Sequence, residues 1–243
     1  MAIPGPVQHS SREVQLDRAP ARWSVAASLL ALGLLLLLTL PFVIYAAGFG
    51  VRGLSSDLSA ETYLYTAGAW LPNLAVFSHM LGGAVITALA PVQLYTGLRG
   101  RLPRVHRWAG RIIVLLSLTS ALGGLAYIVS RGTIGGRLMD VGFATYGLCL
   151  AVAAVQTIRH ARGGDMLHHR QWALRLVVLV LASWLFRLHY VVWFLITDGL
   201  GSTPDLTGPF DRVQVFAFFL PYLLALEVHL RWRRRQPASA AGA

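Results

Sequence analysis

Five ionisable side chains stand inside or at the edges of long apolar stretches: His79, Arg187 and His189 within them, His106 and His169 where they begin. Ionisable groups at membrane depth are costly and default to functional candidates. Neutral imidazoles from facing helices can ligate haem iron, and a nearby guanidinium can neutralise a propionate. The chemistry suggested is a non-covalent b-type haem, held by His79 with His189 or by His106 with His169. At 1.5 Å per residue, His79 and His189 lie at matching depth, about 9 and 10 Å below one boundary. His169 and His189 are about 30 Å apart along one helix, so the two pairs cannot be close together. Burial favours the first pair. The structural alternative is that His79 bonds a carbonyl or hydroxyl on a neighbouring helix, that His106 and His169 cap loops, and that Arg187 belongs to a buried ion pair. Asp140 and Glu227 are the acids on offer, and neither matches its depth.

The second pair is favoured by an internal echo. Arg99-Gly100 precedes His106-Arg107 as Arg162-Gly163 precedes His169-Arg170, an offset of 63 residues, and Val92-Gln93 recurs as Val155-Gln156 at the same offset. Both copies join two apolar stretches, so the repeated unit is a hairpin of membrane helices. Two spans per unit give both copies the same polarity across the membrane, related by an axis along its normal. The competing view is that two basic loops meet the same interfacial demands. In either case Arg107, Arg111, Arg170 and Arg175 form a rim that can bind phosphate or carboxylate groups of a quinone-, lipid- or nucleotide-like ligand.

The elements that position these residues follow from composition. With 56% hydrophobic and 13% charged residues over 243 positions, the chain is too apolar for a soluble globule. Apolar windows predict six helices at 24–46, 73–96, 109–130, 139–158, 172–196 and 212–230, each near the roughly 20 residues a bilayer requires. Residues 1–22 and 236–243 read as disordered cytoplasmic ends, and 23–235 as the transmembrane domain, with repeat-like hairpins over about 73–130 and 139–196. The expected fold is an all-α integral membrane bundle, with a four-helix core from two like-oriented hairpins and the first and sixth spans outside it. Pro221 predicts a kink in the sixth span, and Asp165 a cap for the fifth helix. Gly110, Ser117 and Gly124, at seven-residue spacing, read as a helix-packing stripe.

All 21 basic residues are Arg and the net charge is +11. Sixteen Arg flank one side of the predicted spans, while Arg52, Arg131, Arg137 and Arg212 flank the other. The positive-inside rule then places both termini in the cytoplasm. Charge so distributed is a topology signal, and no nucleic-acid signature accompanies it. The single Cys149 excludes an intrachain disulfide, a thiolate zinc cluster and paired-cysteine haem attachment. A Walker loop, G-x-S-x-G, H-E-x-x-H and dinucleotide-binding glycines are absent, and the spacing of His160 and His168 is not that of a zinc site.

The segments His106-Arg107-Trp108-Ala109-Gly110-Arg111 and His169-Arg170-Gln171-Trp172-Ala173-Leu174-Arg175 resemble the two signatures of the bacterial domain-of-unknown-function family 2306. Ser78-His79-Met80-Leu81-Gly82-Gly83 and Ala90-Pro91-Val92-Gln93 are similar to its opening motif, and Arg187 falls where that family tends to carry an intramembrane Arg. The similarity covers roughly residues 73–190, with Ala173 standing where Met is usual. It implies a polytopic bacterial membrane protein and supplies no reaction. The expectation is therefore a multi-pass protein of the bacterial cytoplasmic membrane with a haem b- or quinone-linked redox role. A small-solute or proton-coupled transporter, or a non-catalytic protein binding anionic lipid or a partner, is the alternative.

Overall fold

The computed structural model describes residues 25–100 and 102–235, so the expectations for 1–22, 236–243 and Arg101 lie outside the described residues. Helices are the regular elements among the described residues: α1 (Val25–Ser55), α2 (Trp70–Arg99), α3 (Pro103–Arg131), α4 (Gly136–Arg162), α5 (Met166–Thr197), α6 (Pro209–Ala217) and α7 (Leu220–Arg235). Six stretches are long and apolar enough to cross a membrane, the sixth made of α6 and α7 together.

The helices outrun the apolar windows because their polar ends stay helical beyond the hydrocarbon. Chain geometry fixes the tight turns. Gly100, at φ 61°, ends α2 in the left-handed region, and Pro103 opens α3, where its missing N–H would be unpaired in any case. The α4–α5 turn uses Gly164 at φ 76°, and the Asp165 side chain accepts from the His168 N–H at 3.1 Å to cap α5.

The sixth span is broken rather than bent. Pro221 cannot donate to the carbonyl of Ala217 and its ring crowds that turn, so the helix stops at Ala217 and restarts at Leu220. Phe218 and Phe219 occupy the break and are buried against Tyr146, with ring centroids 5.1 and 5.6 Å away.

Helices α2, α3, α4 and α5 pack in a ring, each on the next and α5 back on α2. Accordingly α3 and α5 face each other across the bundle axis. Leu150, Leu179, Val180 and Ala182 are buried in the centre. Helix α1 leans on α2 and touches α5, where the Trp184 indole N–H donates to the Leu38 carbonyl at 3.1 Å; α6 rests on α4 and α7 on α5. The outer surface is apolar: Val129 is 88% and Leu195 81% exposed, as a lipid-facing belt requires.

Candidate functional site

At the Arg-rich end of the bundle a cavity of about 640 Å³ opens between α2, α3, α4 and α5. Its floor is apolar, with Ala90, Ile113, Leu176 and Val180, and its mouth carries Gln93, His106, His169, Arg107, Arg111, Arg162 and Arg170. That combination of apolar walls and a few convergent polar groups is the usual build of a small-molecule site.

The two echoed histidines sit here at equivalent positions. Each is the fourth residue of its helix, not a loop residue: the His106 N–H bonds the Leu102 carbonyl at 3.0 Å, and the His169 N–H bonds the Asp165 carbonyl at 2.9 Å. A similar Trp–Arg pair follows each histidine, one residue out of the 63-residue register. Arg111 lies over the Trp108 ring at 5.1 Å and Arg175 over the Trp172 ring at 4.6 Å, each three residues along its helix.

His169 Nδ1 lies 2.9 Å from the Thr157 carbonyl oxygen, so Nδ1 carries a proton and Nε2 is the nitrogen left to bear the lone pair of a neutral ring. This is the arrangement by which a second shell orients a ligating imidazole. His106 rests on the Thr96 hydroxyl through Nδ1 at 3.1 Å, while the Gln93 amide nitrogen approaches its Nε2 at 3.5 Å, the long limit of a hydrogen bond. Gln93 Oε1 is buried without a protein partner.

The other predicted pair is not brought together. The His79 Nδ1–H donates to the Ser120 carbonyl on α3 at 2.7 Å, the interhelical bond foreseen as the structural alternative. His189 faces the opposite flank, with Nδ1 3.1 Å from Gln214 Oε1 on α6 and Nε2 2.7 Å from the Tyr222 hydroxyl on α7. Both its ring nitrogens are engaged. Arg187 lies between α5 and α1, its guanidinium 5.1 Å from the Phe42 ring and donating to the Ser183 carbonyl at 3.4 Å. Among the described residues no carboxylate lies within ion-pair distance of it. Asp140 is instead bound to Thr133, and Glu227 to Arg175 at 2.5 Å. Arg175 is thereby removed from the rim proposed for anions, whereas Arg107, Arg111 and Arg170 line the cavity.

Two further clusters escape a reading of the sequence. Asp211 is fully buried at the Asp-rich end and takes the hydroxyls of Tyr190 and Ser202 and the N–H groups of Thr203 and Gly208, all within 3.0 Å. His160, Asp165 and His168 converge at the α4–α5 turn with ligand atoms within 4.8 Å of one another. There the His168 N–H holds the Asp165 carboxyl below the usual carboxylate range. The glycine pair between His160 and Asp165 is the available signal, since it folds the ends of two helices onto each other.

Residues 76–207 match the model of a family described as predicted membrane protein, DUF2306. No curated protein and no solved structure matches the chain. The matched segment covers more than half of the sequence and contains both echoed His-Arg motifs, His79 and Arg187. The chain belongs to the predicted membrane protein family DUF2306.

Proposed function

We propose that this is a multi-pass redox protein of a bacterial cytoplasmic membrane, with both termini in the cytoplasm, and that its Arg-rich cavity takes a b-type haem between His106 and His169. One observation carries the reading: two repeat-equivalent histidines, on helices that face each other across the bundle axis, line a single cavity. The remaining chemistry fits. The Thr157 carbonyl fixes the tautomer that leaves His169 Nε2 to donate, and Thr96 supports His106 through Nδ1. The apolar floor suits a porphyrin face, and Arg107, Arg111, Arg162 and Arg170 at the mouth suit two propionates. Haem bound by two imidazoles supplies one-electron transfer. The residues' own tasks are to orient the imidazoles, exclude water below the mouth and neutralise the acid groups.

Gln93 favours a second reading. Its amide stands against His106 Nε2, and its unpartnered Oε1 belongs to the same buried edge. Such a group suits the carbonyl or hydroxyl oxygens of a quinone better than iron, which requires the amide to move aside.

Haem content of four variants separates these readings. The protein is expressed with a haem precursor, purified in detergent and assayed as His106→Ala, His169→Ala, His79→Ala and His189→Ala. The haem reading expects the first two to lose haem and the last two to keep it. Equal haem in all four variants, or loss confined to the last two, overturns the assignment.

A further inference from the structure

The turn between α4 and α5 carries two histidines and an aspartate that do not line the cavity, although their neighbours Arg162, Met166 and His169 do. Along the chain His160, Asp165 and His168 lack a zinc spacing, and the turn supplies the proximity instead. The Asp165 N–H donates to the His160 carbonyl at 3.0 Å and the Gly164 N–H to the Ala161 carbonyl at 3.4 Å, with Gly164 left-handed at φ 76°. These two bonds are the Schellman ending of a helix, and they lock Asp165 against the last turn of α4. Asp165 then caps α5 through Oδ1, which accepts from the His168 N–H at 3.1 Å. One turn thus ends one helix, starts the next and fixes all three side chains relative to one another.

The cap occupies Oδ1 and leaves Oδ2 to the rings. His168 Nδ1 lies 2.7 Å and His160 Nδ1 3.3 Å from that one oxygen. The two rings stack, with centroids 5.2 Å apart and planes at 27°, and ligand atoms of all three residues lie within 4.8 Å of one another. A first-row ion with bonds of about 2.0–2.2 Å holds neighbouring donors roughly 2.9–3.5 Å apart. The 3.3 Å separation already fits, and the 2.7 Å one is a hydrogen bond that opens slightly when an ion replaces the hydrogen. Each neutral ring then keeps its one proton on Nε2. The donor set also selects the ion. Calcium and magnesium take several oxygen ligands, whereas this turn offers one carboxylate in a segment that also carries Arg159, Arg162 and Arg170. Two imidazoles and a carboxylate suit zinc and its first-row neighbours, with a remaining position for water. The side chains of His160, Asp165 and His168 are 25%, 40% and 47% exposed, so an ion and its water can enter from solvent.

We propose that His160, Asp165 and His168 bind one divalent first-row transition ion, zinc or a close neighbour, which staples the end of α4 to the start of α5. His169, one residue on, bonds the Thr157 carbonyl instead, so the ion and the cavity share a turn but no ligand. With the ion in place the first turn of α5 is tied to α4 through side chains as well as through the backbone. The site stands whether or not the cavity takes haem.

The test uses the full-length protein, purified in detergent without a histidine tag, stripped with a chelator and titrated with zinc chloride by calorimetry, with no haem added. Wild type is expected to bind one zinc per chain, and excess magnesium is expected not to displace it. His160→Ala and His168→Ala are each expected to weaken binding by about tenfold or more, since losing a ligand costs at least as much as losing a group that orients one. Asp165→Asn, whose amide oxygen keeps the helix cap, is expected to weaken zinc while α5 stays protected from amide exchange. His169→Ala and His229→Ala are expected to bind zinc as wild type. Zinc should also slow amide exchange over residues 164–168 in wild type and leave it unchanged in His168→Ala. Wild type that binds no zinc overturns the proposal, as does equal affinity in wild type, His160→Ala and His168→Ala. Displacement of zinc by magnesium overturns the assigned class of ion. On the two readings together, His169→Ala loses haem and keeps zinc while His168→Ala does the reverse, so failure of one is distinguishable from failure of the other.

Discussion

Replacing Asp211 by Asn and by Ala should have very different consequences, because its partners differ in what they can give up. The carboxylate takes two hydroxyls on Oδ1, from Tyr190 at 2.7 Å and Ser202 at 2.8 Å. On Oδ2 it takes two backbone N–H groups, from Thr203 at 2.9 Å and Gly208 at 3.0 Å. Hydroxyls can turn and accept, whereas a backbone N–H can only donate. In Asp211→Asn the amide NH2 can face the hydroxyls, which reverse, while the remaining oxygen keeps both N–H groups. The loss is then the charge assistance, about 1 kcal/mol. In Asp211→Ala the Thr203 and Gly208 N–H groups lose their acceptor at a fully buried site. At roughly 1–3 kcal/mol for each orphaned donor, the cost is about 4 kcal/mol. Unfolding in mixed detergent gives the global effect, and amide exchange over residues 199–211 gives the local one. The Ala variant should lose protection at Thr203 and Gly208 while the Asn variant keeps it. Equal damage from both variants, or none from either, would refute the argument.

Three shorter predictions concern the Arg-rich end. Gln93→Met removes the amide facing His106 Nε2 at similar volume, so haem content should rise if iron binds there and quinone-analogue binding should fall if a quinone does; an unchanged protein on both assays contradicts both readings. Gly97→Val drives branched methyls into the His106 ring, which a Cβ alone would already meet at 3.1 Å, and should break the 3.1 Å Thr96 bond. It should lower thermal stability by about 1 kcal/mol or more and reduce haem content, whereas Gly97→Ala stays near neutral because helix propensity offsets the tighter contact. Asp165, whose carboxyl the His168 N–H holds below the usual range, contributes to α5 capping above an ordinary carboxylate pKa of about 3.9; that contribution is lost as pH falls through the lowered value. Amide exchange at His168 should quicken there in wild type, and Asp165→Asn should flatten this dependence.

The spans are legible because membrane helices announce themselves by apolar length, and the echo of His106 in His169 points to helices that share a cavity. What local sequence does not disclose is which polar atoms meet. His189 reads as a candidate iron ligand until Gln214 and Tyr222, 25 and 33 residues away, take both its nitrogens. Arg175 reads as one more rim cation until Glu227 arrives from α7. Asp211 looks like another acid in a solvent-facing loop, because only the folded loop turns its N–H groups inward. Helix ends are misjudged for a related reason. Apolar windows stop at the hydrocarbon edge, whereas α3 and α5 begin six residues earlier, at Pro103 and Met166, with capping that depends on local turns. Pro221 is a sound signal for a disturbed sixth span, but burial of Phe218 and Phe219 decides that it breaks.

The reduced-minus-oxidised visible spectrum of the purified wild-type protein, with haem supplied during expression, tests the central claim most directly. A haem between His106 and His169 predicts a Soret band and a sharp α band of a low-spin, bis-imidazole b-type centre, at one haem per chain. A flat difference spectrum from folded protein would contradict it.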